Sequence, residues 1–74
     1  MKEIYYVVEK ELIDIDGVEE TTGNKTISVY TIEDNKLVKF FDLETTNDVN
    51  TETSIDDYLI DNGYGDTEIK KIRL

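Results

Sequence analysis

Nine carboxylates lie between Phe41 and Ile69 with no lysine or arginine among them: Asp42, Glu44, Asp48, Glu52, Asp56, Asp57, Asp61, Asp66 and Glu68. Side chains of this type can do three kinds of chemistry. They can ligate a hard cation, they can share a proton as an acid–base pair where burial moves one pKa, or they can present fixed negative charge to a cationic surface. For the first, Asp14-Ile15-Asp16-Gly17 echoes the opening of an EF-hand loop, but the later ligands and the distant glutamate do not follow. Asn47-Asp48-Val49-Asn50-Thr51-Glu52 alternates oxygen donors without the glycine such a loop requires. No metal site is expected. For the second, the chain has no histidine and no cysteine, and 74 residues rarely enclose a cleft that shifts a carboxyl pKa. No catalytic residue, cofactor or enzymatic activity is expected.

The third kind remains. Unpaired like charges repel and oppose compaction, so folding alone does not ask for such a run. Duplex DNA carries closely spaced fixed negative charge, and basic clefts exist to grip it. A folded surface with carboxylates at comparable spacing can occupy such a cleft. The expected partner is a basic nucleic-acid-binding protein; with a net charge of −10, nucleic acid itself and anionic membranes are not expected partners. The expected contact set is Asp42, Glu44, Asp48, Glu52, Asp56, Asp57, Asp61 and Asp66. Tyr58 and Tyr64 bracket the helical part of it as candidate aromatic anchors. Tyr58 is equally readable as a core residue, and Tyr64, in a glycine-flanked turn, as an exposed one. The competing reading of the whole run is a solvated acidic face on a small structural or accessory protein of a virus or mobile element, where charge only maintains solubility.

Positioning these residues falls to a few short elements. Ile4, Tyr6 and Val8 alternate with Tyr5 and Val7, the period of a strand with apolar residues on both faces. The alternation falters at Glu9-Lys10-Glu11 and resumes at Leu12-Ile13-Asp14-Ile15, which predicts a bulge or a break into two strands. Asp16-Gly17 ends the run, and Val18 to Lys25 reads as a polar connection with a turn at Gly23-Asn24. Thr26 to Glu33 and Lys36 to Glu44 read as strands joined by a tight Asp34-Asn35 turn, since both residues tolerate positive φ. In the second arm Leu37, Lys39, Phe41 and Leu43 are expected on one face, Val38 and Phe40 on the other. Thr45 to Thr53 reads as a loop. Ser54 is the expected N-cap of a short helix with Ile55, Tyr58 and Leu59 on its apolar stripe, stopped by Gly63. Tyr64-Gly65-Asp66 reads as a turn and Thr67 to Leu74 as the last strand. The order β(β)ββαβ predicts a small α+β fold: an antiparallel sheet of four to five strands with one short helix packed on a face.

The 74 residues are expected to form a single domain, 1–74, without disulfides. The N-terminus runs directly into strand-like sequence and no apolar stretch has membrane-spanning length, so a cytoplasmic location is expected.

Ser54 to Leu74 (SIDDYLIDNGYGDTEIKKIRL) resembles the closing segment of the small uracil-DNA glycosylase inhibitors of bacterial viruses. The likeness is carried by the Ser/Asp-led helix with Tyr58, by Gly63, and by the final strand with Glu68, Ile69, Lys70, Arg73 and Leu74. The hairpin Thr26 to Glu44 sits where that family places its own. The resemblance covers under a third of the chain; the N-terminal 25 residues have no counterpart, and the family's second aromatic falls at Asn62. It implies a non-enzymatic inhibitor within the wider group of acidic DNA mimics, which includes anti-CRISPR proteins. It also implies a bacterial host cell, a homodimer, and a pocket lined by Tyr58 that captures an apolar side chain of the target.

Overall fold

The computed structural model describes residues 2–65 and 68–74; Met1, Asp66 and Thr67 lie outside them. The elements follow as β1 (Lys2–Ile15), β2 (Val18–Glu33), β3 (Lys36–Thr46), α1 (Thr51–Asp61) and β4 (Ile69–Arg73). They form an α+β fold in which one helix lies on one four-stranded sheet of order β3-β2-β1-β4. The expected all-antiparallel sheet is corrected at its last strand. β1–β2 and β2–β3 are antiparallel, but β4 runs parallel to β1, with Lys2 opposite Ile69 and Tyr6 opposite Arg73. β3 and β4 occupy opposite edges, so the chain must cross the sheet through α1 and re-enter in the same sense. A parallel return needs such a crossover.

Both hairpin turns place their two central residues at positive φ: Asp16 (52°) and Gly17 (81°) in the first, Asp34 (51°) and Asn35 (63°) in the second. That geometry matches the twist of the flanking strands. The N-terminal run is one strand of 14 residues whose register slips between Lys10 and Leu12. A second slip corrects the face assignment in β3. Val29 pairs with Phe41 and Tyr30 with Lys39, leaving Phe40 as the extra residue. The bulge shifts the alternation by one, so Phe41 and Leu43 face the helix while Leu37 and Lys39 turn to the open face.

Ile4 and Tyr6 of β1, Ile27 and Val29 of β2, Phe41 of β3, and Ile55 and Leu59 of α1 make one buried cluster. The opposite sheet face has no covering layer among the described residues. By register it displays Tyr5, Val7, Tyr30 and Ile72, half-buried, with Ile32 and Leu37 exposed beside them.

The span expected as a polar connection is instead the first half of β2, a strand of 16 residues. β3 accompanies β2 only as far as Asn24, paired with Thr46, and β4 accompanies β1 only from Lys2 to Tyr6. Residues 11–23 therefore project as a two-stranded ribbon with no third strand. The molecule's extents of 47 × 26 × 16 Å reflect it. Ladder hydrogen bonds, not burial of a face, join the two strands there.

The helix begins earlier than the Ser54 cap predicts. Asn50 is the N-cap: its Oδ1 accepts from the Thr53 amide at 3.1 Å. Ser54 lies within the first turn, and its hydroxyl donates back to the Asn50 carbonyl at 3.2 Å. At the other end the Tyr64 amide donates to the Leu59 carbonyl (2.8 Å) and the Gly63 amide to the Ile60 carbonyl (3.2 Å). Those two bonds, with Gly63 at φ 87°, are a Schellman stop.

Candidate functional site

The fold divides the expected contact set among several surfaces. Asp42 and Glu44 are exposed on β3, where their partners Ser28 and Thr26 place them on the open sheet face, away from the helix. Asp42 accepts from the Lys39 ammonium at 2.9 Å. That bond, followed by one from the Ser28 hydroxyl, holds its carboxyl below the ordinary aspartate value. The same ion pair raises Lys39. Glu52 and Asp56, one turn apart, flank the buried stripe on the side toward β1 and β4. The Tyr6 hydroxyl donates to Glu52 Oε1 at 3.4 Å, and Lys71 Nζ donates to Asp56 Oδ1 at 2.9 Å. Burial raises the Tyr6 pKa, and the Glu52 charge and hydrogen bond raise it further. Within the sequence the acidic run has no cation, but the fold brings Lys39 and Lys71 to two of its members. Among the described residues these are the only ion pairs.

Asp57 and Asp61 are different. Both are exposed, one turn apart on the outer surface of α1, and Asp61 closes the last helical turn, which contains no basic residue. A carboxylate there meets the negative end of the helix dipole, and two carboxylates at this spacing repel. The fold is stabilised by neither. Asp48 sits in the loop before the helix, where a hydrogen bond from Thr46, its own backbone amide and the charge of Lys25 lower its pKa. Asp66 lies outside the described residues.

Lys25 organises this end of the molecule. It is the one buried charged side chain among the described residues, 7% exposed. Its Nζ donates to the Val49 carbonyl at 2.6 Å and to Thr51 Oγ1 at 3.0 Å. It thereby ties the 47–50 loop and the first helical residue to β2. Nothing in the sequence marks it, apart from a lysine falling in phase with Ile27 and Val29.

The tyrosines are not free anchors. Tyr58 stacks on Phe41 with ring centroids 3.9 Å apart, at the core's margin. Tyr64 is half-buried rather than exposed: its ring meets Phe40 edge-on at 5.6 Å, with the Lys2 ammonium 5.8 Å from its centroid. On the far side of the helix from Tyr58, a shallow groove of about 300 Å³ opens between α1 and β4. Leu59, Ile60 and Ile69 floor it, Tyr64 borders it, and the Asp56–Lys71 pair stands at its rim. Tyr64 borders this groove and Tyr58, the residue the resemblance places in a capture pocket, does not.

Sequence reasoning passed over a second acidic element. The projecting ribbon carries Glu11, Asp14, Asp16, Glu19 and Glu20, again with no lysine or arginine between Glu11 and Gly23. Its tight turn at Asp16-Gly17 was the legible sign of a hairpin there. The aspartates that echo a calcium loop belong to this hairpin. Among the described residues no three carboxylate, histidine or cysteine side chains gather to hold a metal ion. No family model, curated protein or solved structure matches the chain.

Proposed function

We propose that this protein is a non-enzymatic acidic inhibitor that mimics nucleic acid and blocks the basic DNA-binding surface of another protein. The observation that carries the reading is the Asp57–Asp61 ridge: two exposed carboxylates one turn apart on the outer surface of α1, the second in a last turn that gains nothing from its charge. Asp48 and Glu52 extend the negative field along the leading loop and first turn. The groove bordered by Tyr64 offers an apolar seat beside it for one side chain of the partner. Asp42 and Glu44, on the other sheet face, are peripheral to this surface. A uracil-DNA glycosylase, from the C-terminal resemblance, and a CRISPR nuclease, from the wider group of acidic inhibitors, are the candidate targets.

The test is competition with DNA for each purified candidate enzyme, using the parent protein and Asp57→Lys/Asp61→Lys. The double variant should melt no lower than the parent, and its helix should gain about 0.3–1 kcal/mol at the dipole end. Its inhibition should fall by about tenfold or more, since like charge now meets the basic cleft. Equal inhibition by both proteins, or displacement of DNA from neither enzyme, defeats the proposal.

A further inference from the structure

The ribbon at residues 11–23 is the largest feature the acidic helix surface does not account for. Its register pairs Leu12 with Thr21, Ile13 with Glu20, Asp14 with Glu19 and Ile15 with Val18. Strand alternation then puts Ile13, Ile15 and Val18 on one face with Glu20, while Leu12, Asp14, Glu19 and Thr21 occupy the other. Ile13, Ile15 and Val18 are exposed, at 43%, 46% and 58%. A bare two-stranded ribbon is marginal by itself, and this one buries none of its large side chains to support it. From Glu11 to the turn it reaches about 16 Å beyond the sheet at strand rise. Such a rod, with three apolar side chains gathered on one face and carboxylates on both, Leu12 standing exposed beside Asp14 and Glu19, has the shape and polarity of an element that enters a cleft.

Charge decides what cleft. Five carboxylates and no cation between Glu11 and Gly23 repel a second copy's ribbon, a nucleic acid and an anionic membrane alike. They match cationic walls, and the Ile13–Ile15–Val18 face matches an apolar floor. We infer that the β1–β2 ribbon is an insertion element for a protein partner whose cleft is walled by lysine or arginine and floored by apolar side chains. This deepens the inhibitor reading and rests on it for biological context, but the ribbon's preference is measurable without any target enzyme.

The probes are two octapeptides of equal charge, one alternating arginine with leucine and one alternating arginine with serine. Each is titrated into the full isotope-labelled chain and followed by backbone amide shifts. The arginine–leucine peptide should move amides of residues 12–20 and bind about tenfold or more tighter than its serine counterpart. The exposed triple variant Ile13→Ser/Ile15→Ser/Val18→Ser should keep the parent's melting temperature and lose that difference. Equal affinity for the two peptides, absence of binding, or shifts confined to residues 51–61 would overturn the inference. So would ribbon shifts that appear on concentrating the protein alone, which assign the face to a second copy. Ribbon shifts with neutral phosphatidylcholine vesicles but not with peptide would assign it to a membrane. Loss of enzyme inhibition in Asp57→Lys/Asp61→Lys with intact peptide selectivity separates the two proposals.

Discussion

Individual carboxylates in this protein serve unlike ends, and their surroundings tell them apart. Asp56 and Asp42 hold lysines, and Asp48 is held by donors; Asp57 and Asp61 pair with no cation among the described residues. Asp48 gives a clean pH signature. Its pKa is lowered in the folded state, so it contributes stability above the ordinary aspartate value of 3.8 and loses it as pH falls through the lower folded value. Asp48→Asn should therefore melt below the parent at neutral pH. The gap should close as acid takes both proteins under about pH 4. A gap that persists at pH 2 would show that Asp48 acts by packing rather than by charge. Lys25 shows the converse case, a cation taken inside to bond a loop carbonyl and a helix-leading hydroxyl. Local pattern marks such a residue poorly, because its partners at positions 49 and 51 are distant in sequence.

At the scale of elements, what was legible was local and what was not was long-range. The Asp34-Asn35 turn, the Ile55–Leu59 stripe and the Gly63 stop each follow from residues within a few positions of one another. The ribbon escaped because strand patterning reports a covered face, and from Val18 to Gly23 there is none to cover. The parallel sense of β4 escaped because a five-residue strand carries no signal of the direction in which it joins a sheet. The helix start was misplaced because Asn50 and Ser54 are both capping residue types, and only geometry chooses between them. That choice has a thermodynamic reading. Asn50→Ala should cost about 1 kcal/mol through the lost bond to the Thr53 amide, and Ser54→Ala only a fraction of that. Chemical denaturation midpoints of the two variants check it, and a larger loss at Ser54 would restore the later cap. As for the site, the acidic run is plain in the sequence, but its division among faces depends on the β3 bulge and the helix placement.

The whole molecule carries −10 on 74 residues, and its folding and its proposed association should answer salt in opposite directions. Screening relieves self-repulsion, so raising ionic strength from about 0.01 to 0.15 M, which shortens the Debye length from about 30 to 8 Å, should raise the melting temperature. The same change should weaken inhibition of a basic target by slowing charge-steered encounter. Parallel movement of both quantities would mean that the acidity serves only hydration. No helix among the described residues is long and apolar enough to cross a membrane.

The parallel pairing of β1 with β4 makes neighbours of the two strands of this sheet that lie farthest apart in sequence. Neither β1–β2 nor β2–β3 can complete the sheet, and α1 has its far flank on β4 through Lys71. Without β4 the helix would still rest on β1, β2 and β3 through Ile55 and Leu59, but the β1 edge beside Ile4 and Tyr6 would lie open. The β1–β4 ladder joins residues more than sixty positions apart, so its docking is the contact expected to form last as the sheet assembles.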